Sequence, residues 1–566
     1  MNPRSGLTLA AILLLLPGAA LAQAPASGRP FVAERGIAVA SQVDAARAGA
    51  SMYEQGGNAI DAAVATALAL SVTQPFSAGL GGGFFALVLD SEGGLTALDA
   101  RETAPAAADR DMFLRPGLPK DASVAGPLAV ATPAFVPGLS ALHKAYGKLP
   151  WKAVLAPAIA LAEDGFETGF YHAEVLRGLR ERGFEARFPE TAKIQFPPAG
   201  QPIHPGQRVV QKDLARTLRL LAAKGPEVAT RGEVAARIAD EMKRTGGLVT
   251  REDLASYAPK RRDPVRGTYR GTEVVSFPPP SSGGAVLIEA LNVLEGFDLA
   301  ALAPGSAEET HLVVEALKLA FADRAAWFGD PDFVRVPVAE LTSQAYAAKL
   351  RALIRPEGPA LVVKGSGLPA NDAGTTHLST ADAAGNAVAL TMTINTPFGS
   401  GITVPGTGIV LNDEMDDFAK ATDVPNVYGL VDTKGANAIA PGKRPLSSMA
   451  PTILRRGGRL FMVTGSPGGP RIISTTLLTV LAVIDHGRDA QAAVSAARVH
   501  HQWIPDKVNV EPGVPAGVVR GLEERGHEVA RAATAWSSAQ VIVVDPATGR
   551  LTGGSDPRSD GMAAGL

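Results

Sequence analysis

One threonine constrains this chain more than any other residue. Thr375 follows the turn-rich run Lys364-Gly365-Ser366-Gly367-Leu368-Pro369-Ala370-Asn371-Asp372-Ala373-Gly374 and opens TTHLSTADAAGNAVALTMTIN, Thr375 to Asn395. Two β-rich runs flank Ala384-Gly385-Asn386, a tight-turn signal, so the sequence predicts a hairpin that begins directly after a loop. A threonine so placed is suited to becoming a new N-terminus. Cutting the Gly374–Thr375 bond would give one residue both a hydroxyl nucleophile and a free α-amine as its base.

With 566 residues, the length corresponds to about three or four domains at ~150 residues each. The chain is 46% hydrophobic and 19% charged, a globular composition able to bury a large core. A net charge of −2 indicates neither a nucleic-acid partner nor a polyanionic substrate. The one obvious basic cluster, Lys260-Arg261-Arg262 with Arg266 and Arg270, reads as a solvated loop. Cysteine is absent, which excludes disulfides, thiolate metal sites and cysteine nucleophiles.

The first residues read as a secretory leader. Arg4 supplies the positive start, Leu7 to Leu16 the apolar stretch, and Ala20-Leu21-Ala22 the cleavage site. The apolar stretch falls short of the ~20 residues that span a bilayer, so residues 1–22 are expected to be removed. Export follows, to the periplasm or to the extracellular space. No later stretch reads as a membrane span.

Ala45–Val72 reads as helix interrupted at Gly56-Gly57, with Asn58 as N-cap and Asp61 three residues on. Gly79-Leu80-Gly81-Gly82-Gly83 leads into a strand, Phe84–Asp90, and not a helix. A dinucleotide fingerprint therefore fails, and the glycines instead allow close backbone packing or a tight turn. Trp151 to Leu353 is mostly helical, at Val154–Glu163, Ala215–Ala223, Gly232–Thr245, Ala285–Leu294 and Ala307–Trp327, with a short strand at Gly271–Phe277. After Thr375, strands are expected at Ile409–Asn412, Thr452–Leu454, Leu460–Thr464 and Ala539–Val544, and helices at Ile473–Ile484 and Gln491–Arg498. The alternation suggests an α/β protein with helices packed on two central sheets, without the βαβ rhythm of a doubly wound fold.

There is no G-x-S-x-G elbow and no phosphate-binding glycine loop; His527-Glu528-Val529-Ala530-Arg531 lacks the second His of a zinc motif. His500 and His501 are sequence neighbours whose side chains diverge, which favours a structural role. Four segments remain. They are LDARETAP from Leu98, LNDEMDDF from Leu411, KRPLSSMAP from Lys443 and TGSPGG from Thr464. Each alone is a surface ion pair, an acidic turn, a proline-bounded loop or a glycine turn.

Together with TTHLS and with Ser555-Asp556-Pro557-Arg558-Ser559, in this order, they make the chain resemble the γ-glutamyltransferases, a branch of the N-terminal-nucleophile hydrolases, over nearly its whole mature length. The resemblance implies a four-layer αββα sandwich built from two fragments of one precursor, a large subunit of residues 23–374 and a small one of residues 375–566. It implies self-cleavage at Gly374–Thr375, with Thr375 as nucleophile and Thr393 orienting it. Arg101, aided by Ser447 and Ser448, would grip a substrate α-carboxylate, because a planar fork suits a carboxylate. Asn395, Glu414 and Asp417 would receive the α-ammonium. Gly468 and Gly469 would supply the oxyanion-hole N–H groups, each typically worth ~3 kcal/mol in the transition state. Residues Asp423–Val431, with Tyr428, resemble the lid loop of some members.

The implied reaction takes a γ-glutamyl group from glutathione or a related donor to water, an amino acid or a peptide, with no metal or cofactor. Two other readings stay open: a glutaryl (cephalosporin) acylase of the same fold, and an uncleaved amino-acid-binding protein. Asp417, Glu414 and the serine pair favour an α-amino-acid head over a bare glutaryl chain.

Overall fold

The hairpin after Gly374 is the centre of the molecule. In a computed structural model that describes residues 28–360 and 374–566, Thr375–Asp382 pairs antiparallel with Ala387–Thr393, in a register that sets Thr375 opposite Thr393. The expected leader and the run 364–373 lie outside the described residues. Both strands are buried along their whole length, so both faces of the hairpin must be covered.

Its sheet runs Met562–Gly565, Gly36–Ala40, Thr375–Asp382, Ala387–Thr393, Gly83–Leu89, Leu95–Ala100, Lys260–Arg262. A second seven-stranded sheet runs Phe31–Ala33, Leu551–Ser555, Gln540–Val544, Arg459–Gly465, Thr452–Arg456, Thr272–Ser276, Val265–Tyr269. Every pairing in both is antiparallel. Each sheet mixes strands from both sides of Gly374. Val39, Phe85, Leu87, Ala389, Val275, Ile453, Val463 and Ile542 fill the layer between the sheets. Helices Val43–Glu54, Ala59–Thr73, Trp151–Asp164 and Lys212–Lys224 cover the outer face of the first. Gly283–Leu294, Ala307–Trp327 and Arg471–Ile484 cover the second. This is the expected αββα sandwich.

Local chemistry accounts for the elements nearest the hairpin. Asn58 and Asp61 form a reciprocal capping box at the start of Ala59–Thr73, which satisfies N–H groups that a helix start leaves unpaired. The glycine run is small for a steric reason. A Cβ at Gly82 would stand 2.1 Å from the Thr393 carbonyl oxygen, and one at Gly81 would stand 2.1 Å from that of Val410. Close backbone packing is thus the correct reading of that run.

The basic cluster departs from expectation. Lys260–Arg262 is the edge strand of the first sheet and Val265–Tyr269 is a strand of the second. Arg262 meets Asp99 at 2.7 Å and Asp332 at 2.9 Å. Edge strands tolerate charge because one side faces no partner strand. His500 and His501 are buried structural groups, on Ser474 (2.9 Å) and Asp506 (3.1 Å) respectively. Among the described residues no helix is long and apolar enough to cross a membrane.

Candidate active site

The face of the hairpin that carries Thr375 points between the sheets. Side chains alternate along a strand, so Thr375, His377 and Ser379 share that face, and Thr376, Leu378 and Thr380 turn toward the helices. The His377 ring fills the gap to the second sheet, where a Cβ on Gly465 would come within 2.3 Å of it. Its nitrogens meet Thr391 Oγ1 at 2.8 Å and Ser379 Oγ at 3.2 Å. Burial pulls its pKa down to about 3, so it is a neutral spacer. Thr375, two residues earlier, stands at the mouth of the same layer.

Thr375 and Thr393 face each other because register pairs them. Their hydroxyl oxygens are 3.0 Å apart. Thr393 Oγ1 donates to the Gly374 carbonyl at 2.8 Å and accepts from the Asn395 N–H at 2.8 Å. Having spent its one proton on Gly374, it can only accept from Thr375. The Ile394 N–H also reaches the Gly374 oxygen, at 3.2 Å. Two donors therefore converge on the carbonyl that precedes Thr375. Gly374 has φ 131°, and a Cβ there would lie 2.0 Å from the Asn395 carbonyl oxygen; only glycine fits.

Gly468 and Gly469, with φ 127° and 54°, link the strand Arg459–Gly465 to the helix Arg471–Ile484. Among the described residues neither N–H has a protein acceptor. They precede a helix N-terminus, where the backbone dipole favours negative charge. Gly469 lines the same narrow cavity as Thr375 and Thr393.

That cavity also takes in Arg101, Asn395, Asp417, Ser447 and Ser448. Arg101 is fully buried. Its Nη2 meets Asp417 at 2.5 Å, its Nη1 meets Glu414 at 2.7 Å, and its Nε donates to the Pro445 carbonyl at 3.2 Å. Burial works against its charge, and Glu414, Asp417 and Glu102 more than restore it. Burial likewise pushes the carboxyls of Glu414 and Asp417 up, opposed by Arg101. Glu102, 3.8 Å from Arg101, is pushed up to about 8, also by burial. Glu414 does not line the cavity and connects to it through Arg101. Its ion pair is close in distance, yet neither of its oxygens has an aligned hydrogen-bond donor.

Tyr428 roofs the cavity. It is buried, its hydroxyl donates to the Asn395 carbonyl at 2.5 Å, and its ring lies against Gly469, where a Cβ would meet it at 2.7 Å. The loop carrying it is tied down by Val427 N–H to Asp416 at 2.8 Å and by Asn426 to Asp417 at 3.3 Å. About 20 Å³ remains beneath, room for about one water molecule. Sequence reasoning missed Arg324, which lines the same cavity from the helix Ala307–Trp327. Among the described residues no cluster of metal-binding side chains is present.

A self-aligned threonine pair, a glycine turn and a charged clasp thus meet at one point. The family model for gamma-glutamyltranspeptidase matches residues 45–566. The chain belongs to the gamma-glutamyltranspeptidase family. Within this family setting it is 44% identical to the glutathione hydrolase proenzyme of Escherichia coli K12, over 95% of this chain and 93% of that one. It is 39% identical to an acylase ACY 1 proenzyme of Pseudomonas sp. V22, over 95% of both. Its fold is similar to that of a cephalosporin acylase from Bacillus halodurans, with TM-score 0.85 and 32% identity over 98% of this chain and 99% of that one.

Proposed function

We propose that the chain is an autoprocessing γ-glutamyltransferase acting on glutathione and related γ-glutamyl amides. The observation that carries this is the Thr375–Thr393–Gly374 arrangement: a hydroxyl nucleophile held 3.0 Å from an acceptor that itself donates to the scissile carbonyl at 2.8 Å. In processing, Thr375 Oγ1 bonds to the Gly374 carbonyl carbon, the C–N bond breaks, and the hydroxyl proton passes to the departing Thr375 nitrogen. Water then hydrolyses the ester and leaves a Gly374 carboxylate and a free Thr375 amine. Thr393 Oγ1 and Ile394 N–H carry the oxyanion of that first step.

In turnover the new amine is the base. Its reference pKa near ~8 leaves roughly a tenth of it neutral at pH 7. Thr375 Oγ1 attacks the donor's γ-carbonyl, Gly468 and Gly469 N–H groups hold the oxyanion, and the leaving amine takes the proton back. Water or an amino acid or peptide then removes the acyl group. The glutamyl head is zwitterionic, and it fits by exchange: its carboxylate replaces the acids on Arg101 with help from Ser447 and Ser448, and its ammonium replaces Arg101 beside Asp417, Glu414 and Asn395. Tyr428 and residues Asp423–Val431 serve as lid. Residues 23–374 and 375–566 are the two subunits, and the leader at residues 1–22 directs export to the periplasm, on the strength of Arg4, the apolar run and Ala20-Leu21-Ala22.

Intact mass and N-terminal sequencing of the purified protein test the processing step. Wild type is expected as two fragments, the smaller beginning at Thr375, and Thr375→Ala as one inactive chain; two fragments from Thr375→Ala would contradict it. The acylase relatives make glutaryl transfer the comparison to run. Release of p-nitroaniline from the L-γ-glutamyl anilide is expected to exceed that from the glutaryl anilide, since Asp417, and Glu414 behind Arg101, have no cation to receive from a head without an ammonium.

A further inference from the structure

Two guanidinium groups line the cavity beneath Tyr428, and their surroundings differ. Arg101 has all three nitrogens engaged, two of them by carboxylates. Arg324 is also buried, yet its contacts are neutral hydroxyls: Nε donates to Ser282 Oγ at 3.0 Å and Nη2 to Ser448 Oγ at 3.4 Å. It forms no ion pair among the described residues. A buried cation without a paired anion is costly. The carboxylates whose field supports its charge, Asp417 and Asp432, act from beyond contact distance, and burial outweighs them. Its position is held by the structure around it. It projects from a helix of 21 residues, and Ser282, its main anchor, is itself fixed by donating to the Ser447 carbonyl at 2.8 Å. The anchor and the long contact therefore tie Arg324 to both members of the serine pair. Its Nη1 makes no hydrogen bond among the described residues.

We infer that Arg324 is a second guanidinium of the α-carboxylate subsite, and that it discriminates donors that carry this carboxylate from donors that lack it. This rests on the γ-glutamyl reading above. The exchange described there leaves Arg101 between a substrate carboxylate and the acids it now holds. Arg324 needs no such exchange: an arriving carboxylate meets a cation with spare donors and, beside it, the Ser448 hydroxyl. The carboxylate then lies between two forks, and the subsite keeps its charge balance.

The test compares two donors, L-γ-glutamyl-p-nitroanilide and 4-aminobutyryl-p-nitroanilide. They share the ammonium-bearing chain and the leaving group, and the second lacks the α-carboxylate. Arg324→Gln is expected to raise KM for the first by roughly 10- to 100-fold, the loss of one charge-assisted hydrogen bond, with kcat changed less than about threefold. The rate with the second donor should stay at the wild-type level. Arg324→Lys, which keeps the charge but not the fork, should recover part of the loss. A denaturing gel first establishes that each variant has processed itself; if Arg324→Gln has not, Ser282→Ala, which frees the anchor and keeps the guanidinium, takes its place and should raise the same KM selectively. An unchanged KM, or equal losses on both donors, overturns the role of Arg324 while the substrate reading stands. A wild-type protein without turnover of the γ-glutamyl anilide overturns both.

Discussion

At the scale of single residues, Thr393 shows how little is needed to turn a hydroxyl into a directed group. Its proton is committed to the Gly374 carbonyl and one lone pair to the Asn395 N–H, so what faces Thr375 is an acceptor. Thr393→Val keeps the β-branched shape and removes both functions. Self-cleavage should slow by about 10²- to 10³-fold, the usual cost of one oxyanion donor. A time course of the two bands on a denaturing gel measures it, and an unaltered rate would remove Thr393 from the processing step. Thr375 was legible in the sequence as the first residue of a strand after a loop, and Thr393 through the family resemblance; the register that sets them face to face appears only in the fold. Arg324 was not. It sits on a helix buried on nearly every side, where Glu309, His311, Glu315, Lys318 and Arg324 are all interior. Periodicity cannot tell which face of such a helix meets a cavity.

At the scale of elements, the helix Ala59–Thr73 supports the hairpin from behind, and Asp61 holds its start. Burial alone would raise the Asp61 pKa; hydrogen bonds from His143 and from the N–H groups of Asn58, Lys148 and Leu149 overcome that and hold it below its usual range. A carboxyl depressed by folding adds stability above its unfolded pKa and loses it as pH falls through the folded one. Asp61→Asn should therefore lower the melting temperature at pH 7, by an amount corresponding to about 1 kcal/mol for the cap, and the gap to wild type should narrow below about pH 4. Thermal melts across that range check the sign. The capping box was readable from Asn58 and Asp61 alone. The edge strand Lys260–Arg262 was not, since its three residues show no alternation of burial, and its existence depends on Leu95–Ala100, some 160 positions away in sequence, offering an open edge. Local pattern carries caps and hairpins; it does not carry pairing partners.

At the scale of the whole molecule, the segments on the two sides of the proposed cut are woven together. Thr375–Asp382 lies between Gly36–Ala40 and Ala387–Thr393, and the second sheet places Thr272–Ser276 beside Thr452–Arg456. The segments on either side of Gly374 share both sheets and the apolar layer between them. After cleavage they should run as one particle on size exclusion and as two bands after denaturation, and residues 375–566 expressed alone should yield no folded domain. Separation in native buffer, or a cooperative melt from the small fragment alone, would contradict this. The layered architecture was readable from the alternation of helical and strand segments; the interleaving was not, because it is a property of long-range pairing. Chain ends in folded proteins usually fray. A cut at Gly374–Thr375, as proposed, would create an end inside a finished sheet, already paired with Ala387–Thr393 from its first residue and with Gly36–Ala40 from its fourth. The freedom that such a terminal amine would otherwise give up at every encounter would then be surrendered once, during folding, and amide exchange along this strand should be among the slowest in the protein.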